Sequence, residues 1–192
     1  IMESKENQFK VIEGMIANAK GNLSEGSVFY LLWGWLVIIA ASSNYVLLSY
    51  TNYEMHWLPW IILMPLGGVI SMIVGYRMNK NRRVKTYVES ALNYLWLGFV
   101  ITLLMVLFGM AKIGPQKAYP IIILLYGLGT FVSGGIIKFK PLMIGGVICW
   151  LLGSIAFYAP FDLQLIILII ATVLSYLLPA YLLKQKSAKQ NV

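Results

Sequence analysis

Apolar residues run along this chain in six stretches, separated by short polar segments. A hydrocarbon core of about 30 Å takes about 20 helical residues. By that measure the spans are residues 27–50, 57–77, 88–111, 118–137, 141–159 and 163–183. Strand-like alternation is absent from them. In hydrocarbon the backbone must hydrogen-bond to itself, and a helix does so without a closed barrel. Ahead of the first span, Phe9, Ile12, Ile16, Ala19 and Leu23 recur at steps of three and four, with Glu6, Lys10, Glu13 and Lys20 elsewhere on the wheel. That pattern predicts an amphipathic helix in the membrane interface, interrupted at Asn22, Ser24 and Gly26 before the bilayer. The expected fold is therefore all-α: a polytopic transmembrane bundle of six helices, an N-terminal amphipathic interfacial segment (1–26) and a basic tail (184–192).

Composition agrees with a lipid-solvated chain. Of 192 residues 59% are hydrophobic and only 11% charged, where a soluble domain carries about 25% charged residues. The formal net charge of +8 is spread beside apolar spans, which fits topogenesis and contact with anionic headgroups rather than nucleic acid. Its distribution predicts orientation. With a cytoplasmic N-terminus, inside segments hold Lys5, Lys10, Lys20, Arg77, Lys80, Arg82, Arg83, Lys85, Lys138, Lys140, Lys184, Lys186 and Lys189; outside segments hold Lys112 and Lys117. Cytoplasmic loops carry the excess of lysine and arginine, so both termini are expected to face the cytoplasm. The first apolar run is too long for a cleavable leader, and none is expected. Tyr50, Tyr53, Trp57, Trp60, Tyr119 and Tyr158 fall at the expected outer boundary, and Tyr30, Tyr76, Tyr87 and Tyr181 at the inner one, as interfacial rings prefer.

Candidate chemistry is sparse. No Asp, Glu, Lys, Arg or His lies near the middle of a span, and such residues usually mark proton relays or ion sites. No cofactor is expected. Cys149, the single cysteine, sits in an apolar span where a buried inert thiol is expected. Glu54 and His56 on the first outer loop and Asp162 on the third could converge on a divalent cation or do acid–base chemistry. Ser42, Ser43, Asn44, Thr172, Ser175 and Tyr176 are the polar groups from which a pocket for a neutral or amphipathic ligand would be built. Otherwise these groups, with Asn93, Thr130 and Ser133, would bond between helices. Arg77, Lys80, Arg82, Arg83 and Lys85 form a cationic inner turn suited to anionic lipid or a cytoplasmic protein partner. Gly67, Ser71 and Gly75, and Gly145, Cys149 and Gly153, follow small-xxx-small spacing, and Gly127, Gly129, Gly134 and Gly135 thin the fourth span. These favour close packing within the bundle or in a homo-oligomer. Pro65 and Pro179 are expected to kink the second and sixth helices.

The segments EGSVFYLLWGWLVIIAA (Glu25 to Ala41) and KFKPLMIGGVICWL (Lys138 to Leu151) resemble small multi-pass inner-membrane proteins of Bacteroidota-type bacteria. The resemblance implies a bacterial inner membrane and no activity, so no site residue is carried over. The expected role is a non-enzymatic membrane sensor, regulator or scaffold. A small permease for a neutral or amphipathic solute is the alternative, and a metal-dependent enzyme facing the periplasm the third reading.

Overall fold

A computed structural model describes the backbone of residues 2–51, 53–79 and 87–189, and the side chains of 26–51, 53–78 and 88–185. Every regular element among them is helical: α1 (Met2–Tyr50), α2 (Leu58–Asn79), α3 (Tyr87–Ile113), α4 (Pro115–Ile136), α5 (Lys140–Ala156), α6 (Phe161–Thr172), a π-turn (Val173–Leu177) and α7 (Leu178–Lys189). Five helical stretches are long and apolar enough to cross a membrane: Gly26–Tyr50, Leu58–Met78, Val88–Ile113, Pro115–Ile136 and Phe161–Gln185, the last running through the π-turn. The fifth expected span, 141–159, is α5, a shorter apolar helix of 17 residues.

Three boundaries differ from the sequence expectation. The predicted interruption at Asn22, Ser24 and Gly26 does not end a helix, because α1 runs unbroken for 49 residues. These residues lower helix propensity by only about 1 kcal/mol or less each, and no proline removes a rung of the ladder. Helix α4 begins at Pro115, three residues before the predicted start, so Pro115 opens it and Pro120 falls inside. Gly114 makes that start possible, with φ 81° and ψ 154°, backbone space essentially closed to other residues. Finally, α7 continues to Lys189, so the basic tail begins as helix.

The bundle centres on α1, α4, α5 and the α6–π–α7 rod, while α2 packs against α1 and α3 against α4. In α4 and the last span 56% of the most apolar window is buried; in α2 and α3 it is 6%. Apolarity does not sort them, since α4 is the least hydropathic of the five and the last span the most. Small residues do. Packing, not hydrophobicity, drives helix association in lipid, and α4 meets α5 along glycine. A Cβ on Gly127 would stand 2.9 Å from the Gly146 carbonyl, and one on Gly134 2.7 Å from the Met143 nitrogen. Gly145 lets α5 touch the π-turn, where a Cβ would stand 2.7 Å from Ser175 Cα. Gly67 admits Leu36 and Trp33 of α1. Gly135, by contrast, faces open space.

The π-turn follows from Pro179. Proline lacks the N–H that would bond the Ser175 carbonyl, and its ring crowds that oxygen. The helix widens by one residue and the Leu178 N–H bonds back to the Val173 carbonyl, five residues earlier. The expected kink is thus absorbed as a bulge.

Candidate functional site

Two buried side-chain clusters stand out, one at the α1–α2 loop end and one inside the bundle. At the loop end, Asn44 on α1 is almost completely buried. One terminal atom of its amide lies 2.9 Å from His56 Nδ1 and 3.2 Å from the His56 carbonyl oxygen; the other lies 2.9 Å from Trp60 Nε1 and 3.4 Å from the Tyr119 hydroxyl. An indole N–H only donates and a carbonyl only accepts. The first atom is therefore the NH₂ and the second the carbonyl oxygen. Rings close the cluster: Trp60 meets Tyr119 at 6.1 Å, Tyr119 meets Phe161 at 5.1 Å, and His56 meets Phe161 at 6.2 Å.

The loop end also holds Gln164 on α6, fully buried. Its Nε2 lies 2.8 Å from the Gln116 carbonyl, 3.0 Å from that of Ala156 and 3.1 Å from that of Ala159. Pro120 has no N–H to give the Gln116 carbonyl, its partner in a regular helix; Gln164 supplies the donor. Ala156 is the last residue of α5, whose end carbonyls are short of helical donors, and Ala159 lies in the turn that follows, its N–H bonded to the Ala156 carbonyl at 3.2 Å. One side chain thus ties α4, α5 and α6 together.

Inside the bundle, five rings from four elements pack together, most of them edge to face. Tyr30 of α1 meets Trp96 of α3 at 5.9 Å and Tyr176 of the π-turn at 5.6 Å; Tyr126 of α4 meets Tyr176 at 5.4 Å and Phe99 at 5.2 Å. These rings fill the space between α1 and α4, which make no close backbone contact. The Tyr176 hydroxyl is buried without a hydrogen-bond partner. Beside it Cys149, buried as expected, donates to Ser175 Oγ at 3.2 Å.

The six expected pocket residues divide between these levels. Asn44 belongs to the loop-end cluster, with half-buried Ser42 and Ser43 beside it in sequence. Thr172, Ser175 and Tyr176 belong to α6 and its π-turn. Tyr30 and Asn44 are separated by about 21 Å of helix rise along α1. Against the expectation of interhelical bonding, Thr130 donates to Tyr126 O (2.9 Å) and Thr172 to Leu168 O (2.8 Å) on their own helices; Ser175 donates to Ala171 O (2.6 Å) on its own helix while accepting across to α5 from Cys149. Asn93 is exposed.

Glu54, His56 and Asp162 do not assemble as a ligand set. Glu54 and Asp162 are exposed, and no group of three His, Cys, Asp or Glu that could hold a metal ion occurs among the described residues. His56 turns to the Asn44 amide instead. Arg77 is exposed at the end of α2, and Lys80, Arg82, Arg83 and Lys85 lie outside the described residues. Gln164 was missed by the sequence reading, which placed it inside an apolar span. Its signal is Pro120, which leaves the Gln116 carbonyl without its helical donor. Tyr30 and Tyr119, expected in the interfacial belts, are buried.

With several helices apolar and long enough to cross a bilayer, the chain falls in the class of all-helical multi-pass membrane proteins. No protein family, no curated protein and no solved structure matches it.

Proposed function

We propose that this protein is a non-enzymatic membrane sensor or regulator that crosses the inner membrane of a bacterium six times, with both termini in the cytoplasm. The observation that carries the reading is the continuity of α1. Its span Gly26–Tyr50 packs in the bundle while the same helix runs on, unbroken, back to Met2. A helix of that form couples a change inside the bundle to a segment beyond it, without a flexible joint. The positive-inside distribution supports the orientation. At about 1.5 Å per residue α5 spans about 26 Å, and its flanking turns make up the remainder of a sixth pass. The cationic turn around Arg82 and Arg83 is the proposed contact for anionic lipid or a cytoplasmic partner. Gly68 and Gly135, which face open space, remain available to a homo-oligomer.

Capture of a specific cytoplasmic protein by the full-length chain, lost on charge reversal at Arg82 and Arg83, is the expected result. A stable preparation without such a partner, together with robust solute uptake in liposomes, would replace this reading with the second. That second reading, a small permease for a neutral or amphipathic solute, is favoured by one observation: the unpartnered Tyr176 hydroxyl at a π-turn inside an uncharged, ring-lined interior. It requires water access, tested by labelling cysteines substituted along α1 and α6.

A further inference from the structure

We infer that Asn44 and His56 form a pH-sensitive clasp, which holds the start of α2 to the bundle while His56 is neutral and releases it on protonation. The logic lies in the hydrogen-bond directions. The Asn44 amide presents its oxygen to the Trp60 indole N–H at 2.9 Å and its NH₂ to His56 Nδ1 at 2.9 Å. Nδ1 must therefore accept, which requires a neutral ring carrying its proton on Nε2. Imidazolium donates from both nitrogens, so protonation turns an N–H toward the Asn44 NH₂. Rotating the amide gives that N–H an oxygen, but then sets NH₂ against the indole N–H and takes the donor away from the His56 carbonyl. No orientation satisfies all four groups, and an unmet polar group in a dry setting is costly.

The frustration has leverage because of where Trp60 stands. It lies in the first turn of α2, a helix whose backbone comes close to α1 alone among the described elements. Its ring meets Tyr119 of α4 at 6.1 Å. Losing the Asn44 bond loosens this end of α2 from both. His56 is only half-buried, so protons reach it. The titratable groups nearest it in sequence or through a shared contact are Tyr53 and Glu54 on its own loop, Tyr119 on α4, which meets Asn44 and Phe161, and Asp162 next to Phe161 on α6.

This clasp would give the sensor reading a stimulus without depending on it: a silent Trp60 would leave the partner-capture result untouched, and the reverse holds too. The test follows the indole N–H resonance of Trp60, assigned with Trp60→Phe, in the full-length, tryptophan-labelled chain in lipid nanodiscs. The pH is lowered stepwise from about 8 to about 5. The hydrogen-bonded resonance position should be lost in the native chain, in Glu54→Gln and in Asp162→Asn, and be held throughout in His56→Gln. A native Trp60 resonance that stays in place overturns the clasp without recourse to any variant. A response that survives His56→Gln, or that Asp162→Asn abolishes, overturns it as well.

Discussion

Lys138 holds a left-handed backbone, with φ 53°, at the end of α4, a place where helices commonly set glycine. The turn is a Schellman motif: the Phe139 N–H bonds the Gly134 carbonyl at 2.8 Å and the Lys138 N–H bonds that of Gly135 at 3.2 Å, with Phe139 buried behind it. The lysine therefore carries backbone strain, and Lys138→Gly should raise stability by about 1 kcal/mol, read as a higher unfolding midpoint in detergent. Gln164 works in the opposite direction. Gln164→Leu leaves the Gln116 carbonyl unmet beside Pro120 and should cost about 1–3 kcal/mol, measured in the same assay. At this scale the sequence identified which residues are polar and where along each span they lie. It did not reveal which way they face, because a tyrosine at the end of an apolar run suits an interface and an interior equally well. Tyr30 and Tyr119 turned inward; Tyr50, Tyr76 and Tyr158 did not.

Among the helices, glycine sets the closest seam, between α4 and α5. A Cβ on Gly146 would stand 2.7 Å from the Phe131 nitrogen and 2.8 Å from the Gly127 carbonyl. Backbone cannot step aside as a side chain can, so Gly146→Ala should part α4 from α5 and cost several-fold in the folded fraction. Gly98→Ala on α3 meets nothing within 4 Å and should gain up to about 1 kcal/mol of helix propensity. Unfolding midpoints of the two variants should move in opposite directions. Pro179 offers a second contrast. Pro179→Ala restores the missing N–H, so the π-turn should relax to α-helix and withdraw Ser175 from Cys149. Altered maleimide reactivity of the single cysteine would report it; an unchanged rate would argue against proline as the cause. The small-xxx-small spacing made these seams visible in the sequence, whereas the π-turn was read there only as a kink, because a missing hydrogen bond does not say how the helix absorbs it.

For the molecule as a whole, orientation is the property most open to test. Reporter fusions at the C-terminus and in the Arg82–Arg83 turn should report cytoplasm, and one at the Gly114 turn the opposite side. An Arg82–Arg83 turn found outside would invert the proposal. Sequence alone determined that this chain is helical and where its apolar stretches lie, because hydrocarbon solvates only backbones that satisfy themselves and sets the length they need. The packing order came from tertiary structure alone. Lipid surrounds leucine as readily as a neighbouring helix does, so α2 and α3 carry no mark in hydropathy that sends them to the rim. The pairing of Pro120 with Gln164, and of His56 with Asn44, likewise depends on which helix ends meet, and the order of residues along one chain does not contain that distance.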